Sequence, residues 1–183
     1  ETVVKAVYDS LKDYKNIPIV LDPVMISKSG APLLKEDAIN SLKKYLIPIS
    51  TIITPNIPEA SVIAGFEINS RELMIEAAKK IEELGANSVV IKGGHLEDLE
   101  SPDLLLHDSK EIWMPSERIK TNNTHGTGCT FSSAIAAFLA KKMNILDAVL
   151  SAKEYTFNAL ERGSKYKLGS GHGPVHHFWN FWE

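Results

Sequence analysis

Three short apolar runs, each halted by a polar or glycine-bearing turn and separated by stretches of helical periodicity, constrain this chain more than any other feature. Ile17-Pro18-Ile19-Val20-Leu21 stops at Asp22-Pro23, Thr51-Ile52-Ile53-Thr54 at Pro55-Asn56, and Ser88-Val89-Val90-Ile91-Lys92 at Gly93-Gly94-His95. Short continuous apolar runs of this kind suit strands buried on both faces of a parallel sheet. Strands alternating with helices then predict a three-layer α/β/α fold, a sheet flanked by helices.

The intervening segments read as helices with identifiable ends. Thr2 to Tyr14 places Val3, Val4, Val7, Tyr8 and Leu11 on one face, and Lys35 to Ile47 turns Ile39, Leu42, Leu46 and Ile47 inward. Pro58 suits the first residue of a helix that Gly65 ends, and Ser70 suits the N-cap of a helix that Gly85 stops. Ser27 to Leu34 and Leu96 to Pro102 are read as loops. Asp103 to His107 and Glu111 to Met114 straddle Asp108-Ser109 as a β-hairpin, and Ile145 to about Lys165 is a long amphipathic helix presenting Ala148, Val149, Ala152, Tyr155 and Leu160. The aromatic tail from Gly169 is expected to dock on the core or to meet a partner. With 44% hydrophobic residues and no linker or repeat, residues 1–183 are expected to form a single domain.

Asn122 to Lys142 joins a loop of small and polar residues, Thr124-His125-Gly126-Thr127-Gly128-Cys129, to a helix with Phe131, Ile135, Phe138 and Leu139 at helical spacing. A glycine-bearing loop opening a buried helix leaves amide N–H groups unpaired under the positive end of the helix dipole. Such a place holds anions or phosphates.

Charge narrows the partners. A net charge of −3 without a lysine or arginine run argues against nucleic acid and against an anionic membrane surface. No apolar run is long enough to cross a bilayer, no basic segment precedes an apolar one at the N-terminus, and a single cysteine allows no intrachain disulfide. The reading is a soluble cytoplasmic protein with a small-molecule partner.

Polar groups gather at four strand ends or loops: Asp22, Asn56 with Glu59, Lys92, and the loop to Cys129. In an open α/β sheet such ends lie on the ligand-binding edge, so acid, cation and anion hole would share a cleft. That composition suits phosphoryl transfer: carboxylates hold Mg²⁺ directly or through water, a lysine neutralises the transferred phosphate, and oriented amides stabilise the developing charge. Each residue also has a plainer reading. Asp22 reads equally as the cap of the next turn, Lys92 as a solvated strand end, Glu59 as a favourable charge at a helix start, and Cys129 as a small core residue. His172, His176 and His177 lack the cysteine or carboxylate pattern that would make them metal ligands.

Six blocks in order resemble the hydroxymethylpyrimidine and phosphomethylpyrimidine kinases of the ribokinase-like superfamily. They are Asp22-Pro23-Val24-Met25, Lys28-Ser29-Gly30, Thr54-Pro55-Asn56-Ile57-Pro58-Glu59, Lys92-Gly93-Gly94-His95, His125-Gly126-Thr127-Gly128-Cys129-Thr130 and Gly171-His172-Gly173-Pro174-Val175. The resemblance implies ATP-dependent phosphorylation of 4-amino-5-hydroxymethyl-2-methylpyrimidine and then of its monophosphate, in thiamine biosynthesis. It implies Cys129 as the catalytic residue in place of the superfamily's usual aspartate, and Gly126, Thr127, Gly128 and Cys129 as the anion hole. It further implies Lys92 on the phosphates, Asp22 and Glu59 near Mg²⁺ with Asn56 close by, and Val24 against the pyrimidine. ATP and Mg²⁺ are the expected cofactors, a monovalent cation is a further candidate, and a homodimer is expected of the complete protein. The family's early strands and lid are absent from the sequence, which reads as an N-terminally truncated fragment expected to expose apolar surface. Rival readings are a pyridoxal or pyridoxine kinase, and a non-catalytic precursor-binding module of the same fold.

Overall fold

A mixed five-stranded sheet in the order β1-β2-β3-β4-β5 frames the first half of the chain. β1 (Val20–Leu21), β2 (Ile52–Ile53) and β3 (Ser88–Ile91) run parallel, with Val20 opposite Ile52 and Ile53 opposite Val89. β4 (Asp103–His107) returns antiparallel to β3, and β5 (Lys110–Met114) antiparallel to β4. The computed structural model describes residues 1–25, 33–94, 102–115 and 118–182, which divide into two compact units, Glu1–Ser116 and Glu117–Glu183. The predicted loops at 27–34 and 96–102 fall largely outside the described residues.

β2 and β3 are fully buried, as continuous apolar runs require. β1 differs. Val20 and Leu21 are half-buried, because among the described strands β1 has a neighbour on one side alone. Its run is also shorter than expected: Pro18 has no N–H to donate, and the Ile19 N–H goes to the Thr51 hydroxyl at 3.0 Å.

α1 (Thr2–Leu11) forms where periodicity predicts, yet none of its residues is buried. Its best-defined contact is Tyr8 against Tyr45, with ring centroids 5.3 Å apart. The helix predicted from Lys35 to Ile47 is α2 (Glu36–Ser41), continued by a π-helical turn at Leu42–Leu46 and a 3-10 turn at Ile47–Ile49. Pro48 accounts for this ending, since it cannot supply the N–H of a further α-helical bond. α3 (Ile57–Ala64) ends at Gly65, whose φ of 82° is the left-handed geometry that glycine adopts freely. α4 (Arg71–Glu83) is capped by the Ser70 hydroxyl accepting from Leu73 N–H, and packs Met74, Ala77, Ala78 and Ile81 into the core with β3 and β4.

The second unit pairs α5 (Thr127–Ala140) with α6 (Ile145–Gly163). Phe131, Ile135 and Leu139 are buried, as are Ala148, Val149, Ala152 and Ala159 of α6. The tail divides. Val175 is buried and His176 N–H donates to Ala159 O at 2.8 Å, whereas Phe178, Phe181 and Trp182 are exposed.

The β4–β5 turn puts Asp108 at φ 49° and Ser109 at φ 59°. Two consecutive left-handed residues are the type I′ geometry that matches strand twist and favours glycine second. Ser109→Gly is therefore expected to raise stability by about 0.5–1 kcal/mol in urea denaturation, with the β4–β5 register unchanged.

Candidate active site

In the first unit, the polar groups at the ends of β1, β2 and β3 converge. Leu21 is the last residue of β1, which puts Asp22 at its carboxyl end, while Ile91 ends β3 and delivers Lys92. Their side chains meet: Lys92 Nζ donates to Asp22 Oδ1 at 3.2 Å, with both side chains more than four-fifths buried. The fully buried Thr54, just past β2, donates its hydroxyl to the same oxygen at 3.4 Å.

Asn56 and Glu59 form a reciprocal cap on α3. Asn56 Oδ1 accepts from Glu59 N–H at 2.9 Å, and Glu59 Oε2 accepts from Asn56 N–H at 2.9 Å. The other carboxylate oxygen, Oε1, accepts from Met25 N–H at 3.4 Å, which ties the segment after β1 to the start of α3. Glu59 is 3% exposed. Burial pushes its carboxyl above the ordinary 4.5, against the opposing pull of the Asn56 amide, the Lys92 charge and the Met25 amide. The helix-start reading of Glu59 is thus fulfilled geometrically, and the same carboxylate lies in the field of Lys92 and Asp22.

Lys92 N–H donates to Pro55 O at 2.9 Å, which fixes the departure of the strand. Gly93 then passes so close to Pro102 that any Cβ would collide with the Pro102 carbonyl, and its N–H donates to Asp103 Oδ1 at 2.8 Å. Asp103 and Thr54 were not among the predicted site residues. Neither has a spacing signal, since each acts through residues remote in sequence. Val24 is exposed beside Asp22, in a tight turn closed by its N–H to Asp22 O at 2.9 Å.

The hard oxygen donors here suit a magnesium ion better than a soft metal. Among the described residues no three histidine, cysteine or acidic side chains cluster as a complete metal site. One or two carboxylates with water and phosphate oxygens completing the shell is the usual manner of Mg²⁺, and Asp22 and Glu59 fit it.

The second unit carries the loop to Cys129. Gly126 is the N-cap of α5 at φ 84° and ψ 1°, a left-handed conformation that a side chain would strain. Thr127 Oγ1 donates to Thr124 O at 2.8 Å, and the first α-helical bond runs from Thr130 N–H to Gly126 O at 2.8 Å. The amides of Gly128 and Cys129 precede that bond and are not used by the helix. Cys129 is exposed, so the core-residue reading does not hold for it. With Gly126, Thr130, Tyr155 and His177 it lines a cleft of about 520 Å³ between α5 and α6. Of the predicted residues, Asp22, Asn56, Glu59 and Lys92 come together in the first unit, and Gly126, Thr127, Gly128 and Cys129 in the second. The tail residues around this loop were missed as site components.

The first unit carries an acid–lysine pair at the strand ends of an α/β sheet, and the second an exposed thiol in the first turn of a helix opened by a glycine-bearing loop, a composition that suits a phosphotransferase. The sequence model of the phosphomethylpyrimidine kinase family matches residues 1–176, and the chain belongs to that family. It is 40% identical over 98% of its length to the hydroxymethylpyrimidine/phosphomethylpyrimidine kinase of Rhizobium meliloti, covering 68% of that protein. It is 44% identical over 97% of its length to the thiamine biosynthesis bifunctional protein ThiED of Geobacter sulfurreducens, of which it covers 36%. Among solved structures, an ADP complex of Bacillus subtilis pyridoxal kinase superposes with a TM-score of 0.88 at 35% identity, over 98% of this chain and 66% of that one. The chain therefore spans about two thirds or less of the length of these relatives. No helix among the described residues is long and apolar enough to cross a membrane.

The raised Glu59 carboxyl has a signed consequence for stability. Its contribution is fully present below the unfolded-state value and is lost as pH rises through the higher folded-state value, where the buried group must ionise. Urea denaturation of the chain and of Glu59→Gln between pH 4 and 8 is expected to show the advantage of the native residue shrinking as pH rises.

Proposed function

We propose that the full-length protein transfers the γ-phosphoryl group of ATP to the hydroxymethyl oxygen of 4-amino-5-hydroxymethyl-2-methylpyrimidine, and then phosphorylates the monophosphate. The observation that carries this reading is the exposed Cys129 in the first turn of α5, beside unused amides and on a cleft of about 520 Å³. Membership of the phosphomethylpyrimidine kinase family supports the substrate, and the thiamine-pathway relative supports the setting. In the transfer, the substrate oxygen forms a bond to the γ-phosphorus while the bond from that phosphorus to the bridging β,γ-oxygen breaks and ADP leaves. Cys129 acts as the base that takes the proton of the hydroxyl, its side chain standing exposed in the first turn of α5.

The amides of Gly126, Thr127, Gly128 and Cys129 bind phosphate oxygens whose charge grows during transfer. Lys92 supplies a positive charge to the phosphates and is held by Asp22 until they arrive. Asp22 and Glu59, with Asn56 nearby, would hold Mg²⁺ through water, where it neutralises phosphate charge. Val24, exposed after β1, would lie against the pyrimidine. We assign both units to one kinase domain, since the family match runs through both. A homodimer and a cytoplasmic setting complete the proposal.

A second reading, a pyridoxal kinase, is favoured by the likeness to the Bacillus subtilis enzyme. Turnover of the two alcohols compared side by side separates the readings, and phosphorylation of the pyrimidine monophosphate is expected under the first alone. Cys129→Ala in the full-length protein is expected to lower kcat by about 10² or more. Unchanged transfer would remove Cys129 from the mechanism and favour a non-catalytic role for the loop. Lys92→Met is expected to raise KM for ATP and lower kcat together, as measured by steady-state kinetics.

A further inference from the structure

The loop read above as the anion site is held locally by short-range bonds alone, such as Thr127 Oγ1 to Thr124 O at 2.8 Å and Thr124 N–H to Asn122 O at 3.0 Å. It contains Gly126 in a left-handed conformation and Gly128 two residues on, and glycine-rich backbone is intrinsically loose. Its amides can stabilise developing charge only if they are fixed in advance. The tail adds long-range constraint through contacts at both ends of the loop.

At the near end, His125 and Pro174 form an isolated parallel bridge: His125 N–H donates to Gly173 O at 3.0 Å, and Val175 N–H donates to His125 O at 3.3 Å. Gly173 leaves room there for Asn123, whose side-chain oxygen would have to shift to admit a Cβ. Asn123 is itself 8% exposed, and its Nδ2 donates to Gly163 O at 2.7 Å and Tyr166 O at 2.6 Å, anchoring the loop to the end of α6. At the far end, His177 Nε2 lies 3.0 Å from the hydroxyl of Thr130, the residue after Cys129. The His177 carbonyl is in turn held by the Tyr155 hydroxyl at 2.6 Å, and the neighbouring His176 N–H by Ala159 O at 2.8 Å.

We infer that Gly173–His177 is a brace that fixes the anion-site loop, with His177 a positioning residue acting through Thr130 on the turn that carries Cys129. Its kinetic consequences rest on the kinase reading above; its geometry does not. His177 keeps the first turn of α5 in register with the loop, so that the Cys129 thiol and the amides beside it hold one orientation. A residue of this kind affects the chemical step more than nucleotide binding, because misplacement costs most where charge develops.

The test uses the full-length protein with His177→Ala, His177→Gln and Gly173→Ala. Two readouts are taken: steady-state kinetics with ATP and the pyrimidine alcohol, and the rate at which iodoacetamide alkylates Cys129, followed by mass spectrometry of its peptide. His177→Ala is expected to lower kcat by about tenfold or more while KM for ATP moves by less than about threefold, and to change the alkylation rate several-fold. Gln, whose terminal amide reaches the same hydroxyl, is expected to restore both. Gly173→Ala is expected to disturb both by displacing Asn123 from the other end. Equal loss in Ala and Gln, or an alanine variant with native kcat and native alkylation rate, overturns the inference. If the native protein transfers no phosphate, the kinase reading fails and alkylation alone decides: a rate altered by Ala and restored by Gln sustains the brace, and equal rates overturn it.

Discussion

A carboxylate with 3% of its surface exposed must obtain from the protein the hydrogen bonds that water no longer gives, and Glu59 obtains them from backbone amides on two segments. Asn56 N–H follows β2, and Met25 N–H follows β1. One side chain therefore ties together two strand ends and the first turn of α3. Lys92 and Asp22 lie in the same field, and their ion pair satisfies two further charges whose side chains are more than four-fifths buried. Removing one member would leave another charge unpaired in a poorly hydrated place, so these groups stabilise the sheet edge as a set. A sheet edge with this arrangement is oriented and largely dry.

The second unit meets the same requirement by different means. Its loop is glycine-bearing, and beyond its own short-range bonds it is held by the strand-like contact of His125 with Pro174 and by the side chains of Asn123, Tyr155 and His177. The buried, small-residue contact between α5 and α6 gives that brace a firm base. Glycine in the first turn of α5 leaves room for close approach of the backbone, and the surrounding contacts fix that backbone in advance.

Much of the architecture follows from short-range sequence signals. The parallel strands, the Ser70 cap, the Gly65 and Gly85 stops and the two-residue hairpin turn all depend on residues within a few positions of one another. β1 came out shorter and less buried than its composition suggests, because burial depends on neighbours that composition does not encode. The apolar stripe of α1 is the same lesson: periodicity specified a helix but not how much of its face would be covered. The helix after Lys35 passes into a π-helical turn at Leu42 and ends in the 3-10 turn that contains Pro48, whose missing N–H is a stop readable in advance.

By itself, the sequence determined the α/β alternation, the loop-to-helix junction at Gly126, and the order of family blocks that led to the kinase assignment. The tertiary structure alone decided which of those polar residues share a hydrogen bond. Met25 and Glu59 are 34 positions apart, Lys92 and Asp22 are 70 apart, and Thr130 and His177 are 47 apart. No spacing rule spans such distances, because these pairings are set by how strands and helices pack rather than by the period of any one of them. For the same reason, Cys129 could be read from sequence as core or as reactive, and its exposure on the first turn of α5 was settled by packing alone.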